Sequence, residues 1–276
     1  MSPPRTGASP IRARGIPSSP TVRKTITPMT RSNPAAPVTL RLATPQDAGE
    51  IAAFYAPYAT DTAVNFEYDA PDAAEFARRI EGVQRTFPFI VAVEHDPSGG
   101  TERIVGYVFA VPMGSRPAYT WSADTSIYLD RSHRGHRIGT LLYDALEPIL
   151  RYQGIVELFS CITVSEHDDL TDFRDPTALE LTVSRVQDPH LPVTSPRFHK
   201  AKGYFPVGRE LGVGYKLGTW YDKLWMQKHL QARPAEPKPI VTLPNVPAHV
   251  IEEAFDEALR LREEHEQERE RKRGQS

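Results

Sequence analysis

Hydrophobic and polar positions alternate along much of the middle of this chain, and the alternation switches between periods of two and of three to four. Val38–Leu42 alternates as a strand. Thr44-Pro45 then offers a capping hydroxyl and a proline suited to the first helical position, which predicts a helix through about Tyr58. Pro71 repeats the device ahead of a helix that carries Phe76, Ile80 and Val83 on one side. Phe89–Val93 and Ile104–Val111 read as two strands joined by the turn DPSGG at 96–100, a hairpin. Trp121–Leu129 is a further strand. The helix expected over Ile138–Tyr152 has an apolar face of Leu141, Leu142, Ala145, Leu146 and Ile149 and ends near Gly154; Pro148 inside it predicts a kink or an early stop. Ile155–Val164 is a strand, Ser195–Lys202 a short helix, and Tyr204–Val213 with Lys216–Gln227 a closing pair of strands. The order is that of a mixed α/β domain.

Between the strand Trp121–Leu129 and the helix after it lies a basic, glycine-containing turn, RGHRIG at Arg134–Gly139. The first backbone N–H groups of a helix have no intrahelical partner and stand at the positive end of its dipole. Gly135 and Gly139 allow a polyphosphate to approach that backbone, while Arg134, His136 and Arg137 add charge. The turn lacks the Lys-Ser/Thr of a Walker loop and the three glycines of a dinucleotide fingerprint. On its residues alone it reads as a phosphate cradle or as an ordinary capped helix start.

Composition sets the boundaries. The 276 residues include 26 prolines, about twice the usual share, and these crowd the first 37 positions and the segment 231–247. One folded unit over about 38–230 is the simplest organisation, with a proline-rich linker at 231–247 and a charged C-terminal helix over 248–276. That helix has the stripe Ile251, Ala254, Phe255, Ala258 and Leu261 and reads as packed on the domain with a solvated end. The first 46 residues contain no Asp or Glu and seven Lys or Arg, a pattern shared by transit peptides and disordered basic tails. The prolines there favour the disordered tail over 1–37, and with it a cytoplasmic protein. A net charge of −2 gives no reason to expect nucleic-acid binding, no apolar run is long enough for a membrane span, and the single Cys161 lies in the apolar run LFSCITV as a small core residue.

The run RPAYTWSADTSIY at Arg116–Tyr128 resembles the core of phosphinothricin and methionine sulfoximine N-acetyltransferases, members of the GNAT superfamily. Val64-Asn65-Phe66 and Phe87–Ala92 match upstream segments of that family. Phe198-His199, Gly203-Tyr204, Gly214–Gly218 and Trp220–Asp222 match downstream ones. In this light RGHRIG is similar to the acyl-CoA pyrophosphate loop, Arg/Gln-x-x-Gly-x-Gly/Ala, with Arg137 at the middle glycine. The resemblance implies a GNAT fold, a central mostly antiparallel sheet flanked by helices, and acetyl transfer from acetyl-CoA to a small amino-acid-like amine in a ternary complex. It implies Asp124 as the general base, in place of the family's Glu, and His199 as an assisting residue. Ile127, Tyr128 and Leu129 would hold the cofactor's pantetheine arm, and Arg134, Gly135, His136, Arg137, Ile138, Gly139 and Thr140 its pyrophosphate. Arg116, Tyr119 and Phe66 would line the substrate pocket. Relatives are often homodimers. An insertion at about 165–194 displaces the family's Asn-x-x-Ser, and its acidic EHDD start has no second cluster to make a metal site. The alternatives are a non-catalytic acyl-CoA-binding protein with this fold and a protein N-acetyltransferase.

Overall fold

The computed structural model describes residues 37–96, 100, 102–166, 188–191 and 194–274. They fall within one compact unit, Ala36–Ser276. The basic tail over 1–36, the tip of the DPSGG turn and most of the 165–194 insertion, Asp168 and Asp169 included, lie outside the described residues.

The elements follow the hydrophobic pattern: β1 (Val38–Leu42), α1 (Ala48–Asp61), α2 (Ala73–Gln84), β2 (Phe89–His95), β3 (Glu102–Pro112), β4 (Ser122–Leu129), α3 (Ile138–Gln153), β5 (Glu157–Ser165), α4 (Thr194–Ala201), β6 (Phe205–Lys216), β7 (Thr219–His229) and α5 (Ala248–Gly274). Two local expectations are corrected. Pro71 does not open α2; Asp72 does, its carboxylate accepting from the Glu75 N–H, because a cap side chain satisfies a donor that proline only removes. Pro148 does not end α3, which runs on to Gln153 and closes on Gly154 in the left-handed conformation. Leu146, Ile149 and Leu150 are fully buried around the proline, and that burial outweighs one lost backbone bond.

Among the described residues the strands form one seven-stranded sheet in the order β1-β2-β3-β4-β5-β7-β6. Every neighbouring pair is antiparallel except β4 and β5. One face is covered by α3 and α5 over a core that includes Val108, Leu142, Leu146, Leu158 and Met226; the other is covered by α1 and α2 over Ile51, Phe76, Ile80, Phe89 and Tyr107. The proline-rich segment is tied down: Trp121 Nε1 donates to the Lys238 carbonyl (2.8 Å), and Gln153 Nε2 donates to the carbonyls of Thr86 and Val241. Fully buried Ala258 lets α5 approach α3 closely.

Candidate active site

The parallel pairing of β4 with β5 is short. Ser122, Ala123 and Asp124 pair with Glu157, Leu158 and Phe159, and there the ladder ends, although β4 continues to Leu129 and β5 to Ser165. The strands splay into a cleft lined by Thr125, Ser126, Ile127 and Tyr128 on one side and Ser160–Thr163 on the other, with Val64, Leu191, Ser195 and His199 around it. Backbone parity fixes what faces the gap. Asp130 N–H donates to Val105 on β3, while the Thr125 carbonyl accepts from Ser160 Oγ on β5. The odd-numbered residues therefore turn their amides toward the splay, and the N–H groups of Ile127 and Leu129 stand there without a ladder partner. Such an edge can bind an extended amide-bearing chain.

Asp124 is the last paired residue before the strands part. Its Oδ1 is buried and has no hydrogen-bond partner within the protein. Burial pushes its pKa from the usual 3.8 up to about 6, against the opposing pull of the Thr125 amide, the Lys223 ammonium and the Cys161 amide. A carboxylate so poised is ionised at neutral pH, yet accepts a proton more readily than an exposed Asp. On the same face, Lys223 Nζ lies 5.6 Å from the centroid of the Phe66 ring. Phe66 in turn covers Gly214, where a Cβ would meet the ring at 2.2 Å, so only glycine fits beneath it. The segment carrying Phe66 is held by Thr163 Oγ1 donating to the Val64 carbonyl and by Lys216 Nζ donating to the Asn65 carbonyl (2.9 Å).

His199 approaches from the opposite face, with Thr125. It is 3% exposed. Its Nδ1 lies 2.9 Å from the Ser195 carbonyl, which can only accept; the ring proton therefore sits on Nδ1, and Nε2 accepts from the Tyr143 hydroxyl at 2.9 Å. Tyr143, Ser160 and Tyr204 converge on Thr125 Oγ1 at 3.0, 2.8 and 3.2 Å. Burial pushes the His199 pKa down to about 4, so the ring is neutral across the physiological range. His199 thus lines the cleft, while Asp124 stands at the point where the strands part, on the other side of the sheet.

The loop between β4 and α3 is pinned by Tyr58. Its hydroxyl donates to the Leu129 carbonyl (2.6 Å) and accepts from Arg134 (3.0 Å), while the guanidinium groups of Arg131 and Arg134 lie over its ring. Gly135 has φ +84°, and Arg137 has φ +59°. Arg137 thus takes the left-handed conformation natural to glycine. The helical ladder starts with Leu141 N–H to the Arg137 carbonyl, leaving the N–H groups of Ile138, Gly139 and Thr140 ahead of it. Gly139 packs against Phe198, where a Cβ would lie 3.1 Å from the ring. Arg134 and His136 are exposed. The arrangement can take a polyanion at the helix terminus.

Arg116 and Tyr119 lie on the connection between β3 and β4, and both are exposed. The Tyr119 ring stands against Gly114. The Tyr128 ring packs among those of Tyr55, Tyr58 and Tyr107.

A family model for the acetyltransferase (GNAT) domain matches residues 40–225. The chain belongs to the GNAT acetyltransferase family. It is 26% identical over 204 residues to a phosphinothricin N-acetyltransferase from Streptomyces viridochromogenes, covering 74% of this chain and 93% of the relative. Among solved structures, a GNAT phosphinothricin acetyltransferase from Sinorhizobium meliloti in complex with acetyl-CoA is 25% identical with a TM-score of 0.58, covering 76% of this chain and 97% of the other. An N-acetyltransferase from Staphylococcus aureus, 22% identical with a TM-score of 0.56, shares the fold over 71% of this chain and all of the other. The expected GNAT fold, with its mostly antiparallel sheet, is the one present.

Several residues of this GNAT acetyltransferase site escaped the sequence reading. Tyr58 was visible only as a helix position, and Lys223 as one more strand lysine. Tyr143 carried no signal and Tyr204 appeared only within the matched Gly203-Tyr204, because their hydroxyls meet at Thr125 only once β4, α3 and the segment between α4 and β6 are packed. Cys161, expected in the core, lines the cleft instead, half-buried; burial raises its pKa to about 11, so the thiol stays protonated.

Proposed function

We propose that this acetyltransferase moves the acetyl group of acetyl-CoA to the amine of a small amino-acid-like substrate, of the phosphinothricin or methionine sulfoximine type, by direct transfer within a ternary complex. The observation that carries the reading is the splay of β4 from β5 at Asp124. It leaves a partnerless carboxylate oxygen at the point of parting and the N–H groups of Ile127 and Leu129 facing the gap further along β4. The likeness to phosphinothricin N-acetyltransferases, one of them in complex with acetyl-CoA, supports the substrate class and the co-substrate.

In this reading the pantetheine arm lies along Ile127–Leu129, and the pyrophosphate meets Arg134–Thr140 at the start of α3. Asp124 takes one proton from the substrate ammonium. The free amine attacks the thioester carbonyl carbon, whose oxygen is polarised by the amides facing the splay. A C–N bond forms, the C–S bond breaks, and the second amine proton leaves with the thiol. Arg116 and Tyr119 are the proposed contacts for the substrate's acidic end, and Phe66 with Lys223 the wall opposite. His199, neutral and bonded at both nitrogens, contributes by holding Tyr143 and Thr125 in place. The exposed Leu211, Val213, Tyr215 and Trp220 near the β6 edge of the sheet support pairing as a homodimer.

Thiol release from acetyl-CoA, followed across phosphinothricin, methionine sulfoximine, methionine sulfone and common amino acids, tests the reading. Amine-dependent release on one of these supports it. Binding of CoA without release on any of them would transfer the case to the acyl-CoA-binding or protein-acetylating alternatives.

A further inference from the structure

The family match ends at residue 225, whereas α5 lies beyond it. Its anchoring is confined to the first half. Ala254, Ala258 and Arg262 are buried, but from Glu263 onward nearly every described position is exposed. A helix end that buries almost nothing gains little stability from packing. At the middle of the helix, where the anchored half gives way to the exposed one, α5 comes to one particular place. Leu261 and His265 of α5 close a groove of about 400 Å³ whose other walls are Arg137, Thr140 and Asp144 at the start of α3 and Phe198, Ala201 and Lys202 on α4. Arg137 and Thr140 belong at once to this groove and to the loop proposed for the pyrophosphate.

The chemistry of the groove is mixed in a specific way. Arg137, Lys202 and His265 supply donors, and Phe198 and Leu261 supply apolar surface. The one acid, Asp144, is already engaged by Lys202. From His265 the helix presents Arg269 and Arg273 at successive steps of four, on one side of an α-helix. An acyl-CoA bound with its pyrophosphate at α3 must put its remaining part close by. That part is a ribose 3′-phosphate, doubly charged, and a flat adenine. A volume of this size lies within the roughly 300–1,000 Å³ typical of small-molecule sites.

We propose that α5 forms the outer wall of the acetyl-CoA site and takes the adenosine 3′-phosphate end of the co-substrate in the groove between α3, α4 and α5. Arg137 and His265 face the phosphate, and Phe198 with Leu261 face the adenine. The proposal rests on the acetyl-CoA reading and adds a determinant contributed from outside the family-matched region.

Calorimetric titration of the full chain with CoA and with dephospho-CoA, which lacks only the 3′-phosphate, tests it. The expected result is tighter binding of CoA by about tenfold or more. His265→Glu and Arg269→Glu should each weaken CoA several-fold while leaving dephospho-CoA unchanged, and a chain ending at Glu264 should do the same. All three keep the Ala254 and Ala258 anchor, and an unchanged melting temperature without ligand verifies folding. Equal affinity of the unaltered chain for the two ligands would overturn the proposal. So would variants that bind CoA as the unaltered chain does, or that lose both ligands equally. A chain that binds neither ligand would sink the acetyl-CoA reading itself, a distinct outcome.

Discussion

Asp124→Asn should make this acetyltransferase more stable and inactive at once. Burial lifts the Asp124 pKa from 3.8 to about 6. At about 1.36 kcal/mol for each factor of ten, holding the ionised carboxylate in the folded chain costs up to about 3 kcal/mol. The sign follows from proton binding. Between pH 3.8 and 6 the folded state holds the proton more tightly than the unfolded chain, so this group's contribution to stability falls as pH rises through that window and stays low above it. Asparagine is close to isosteric and neutral, and it removes the penalty. Urea unfolding of the two proteins should therefore give equal stability for this position below about pH 4 and a gain for the variant that reaches about 3 kcal/mol by pH 8. Turnover, measured in parallel, should be abolished with CoA binding intact, and kcat/KM of the unaltered chain should rise with an apparent pKa near 6. A variant no more stable at pH 8 than at pH 4, relative to the parent, would refute the burial argument; one that keeps its turnover would remove Asp124 as base.

Three further outcomes are expected. Lys223→Met removes the ammonium that holds the Asp124 pKa down, so the acidic limb of kcat/KM should move to higher pH; an unmoved limb would show that Lys223 does not sense Asp124. Arg137→Gly relieves a left-handed backbone and should raise stability by about 1 kcal/mol in thermal unfolding, while the lost cation raises the KM for acetyl-CoA. Tyr143→Phe leaves the buried Nε2 of His199 without a donor and should cost about 1–3 kcal/mol in urea unfolding, a loss that His199→Phe in the same background should not deepen by as much again.

By itself the sequence determined what is local and periodic. Period-two and period-four patterns placed each strand and helix, because each element buries one face and the spacing of apolar residues records it. RGHRIG already contained the turn, and the occupant of its glycine position, Arg137, indeed sits at positive φ. Parity along β4 even implied that Asp124 and Thr125 face opposite ways. Other features were beyond it. Which strand Asp124 meets, and where that pairing ends, depends on β5 lying parallel beside β4 and on β7 running between β5 and β6. The same packing gathers Tyr143, Tyr204, Ser160 and His199 at Thr125 and places Lys223 near Asp124. It also folds the proline-rich segment back onto Trp121 and Gln153 and brings the middle of α5 beside the start of α3. The reason is physical. Periodicity is set by neighbours a few residues apart, whereas burial, and with it the two opposite pKa displacements at Asp124 and His199, is set by groups that are distant in the chain and meet only in the folded state.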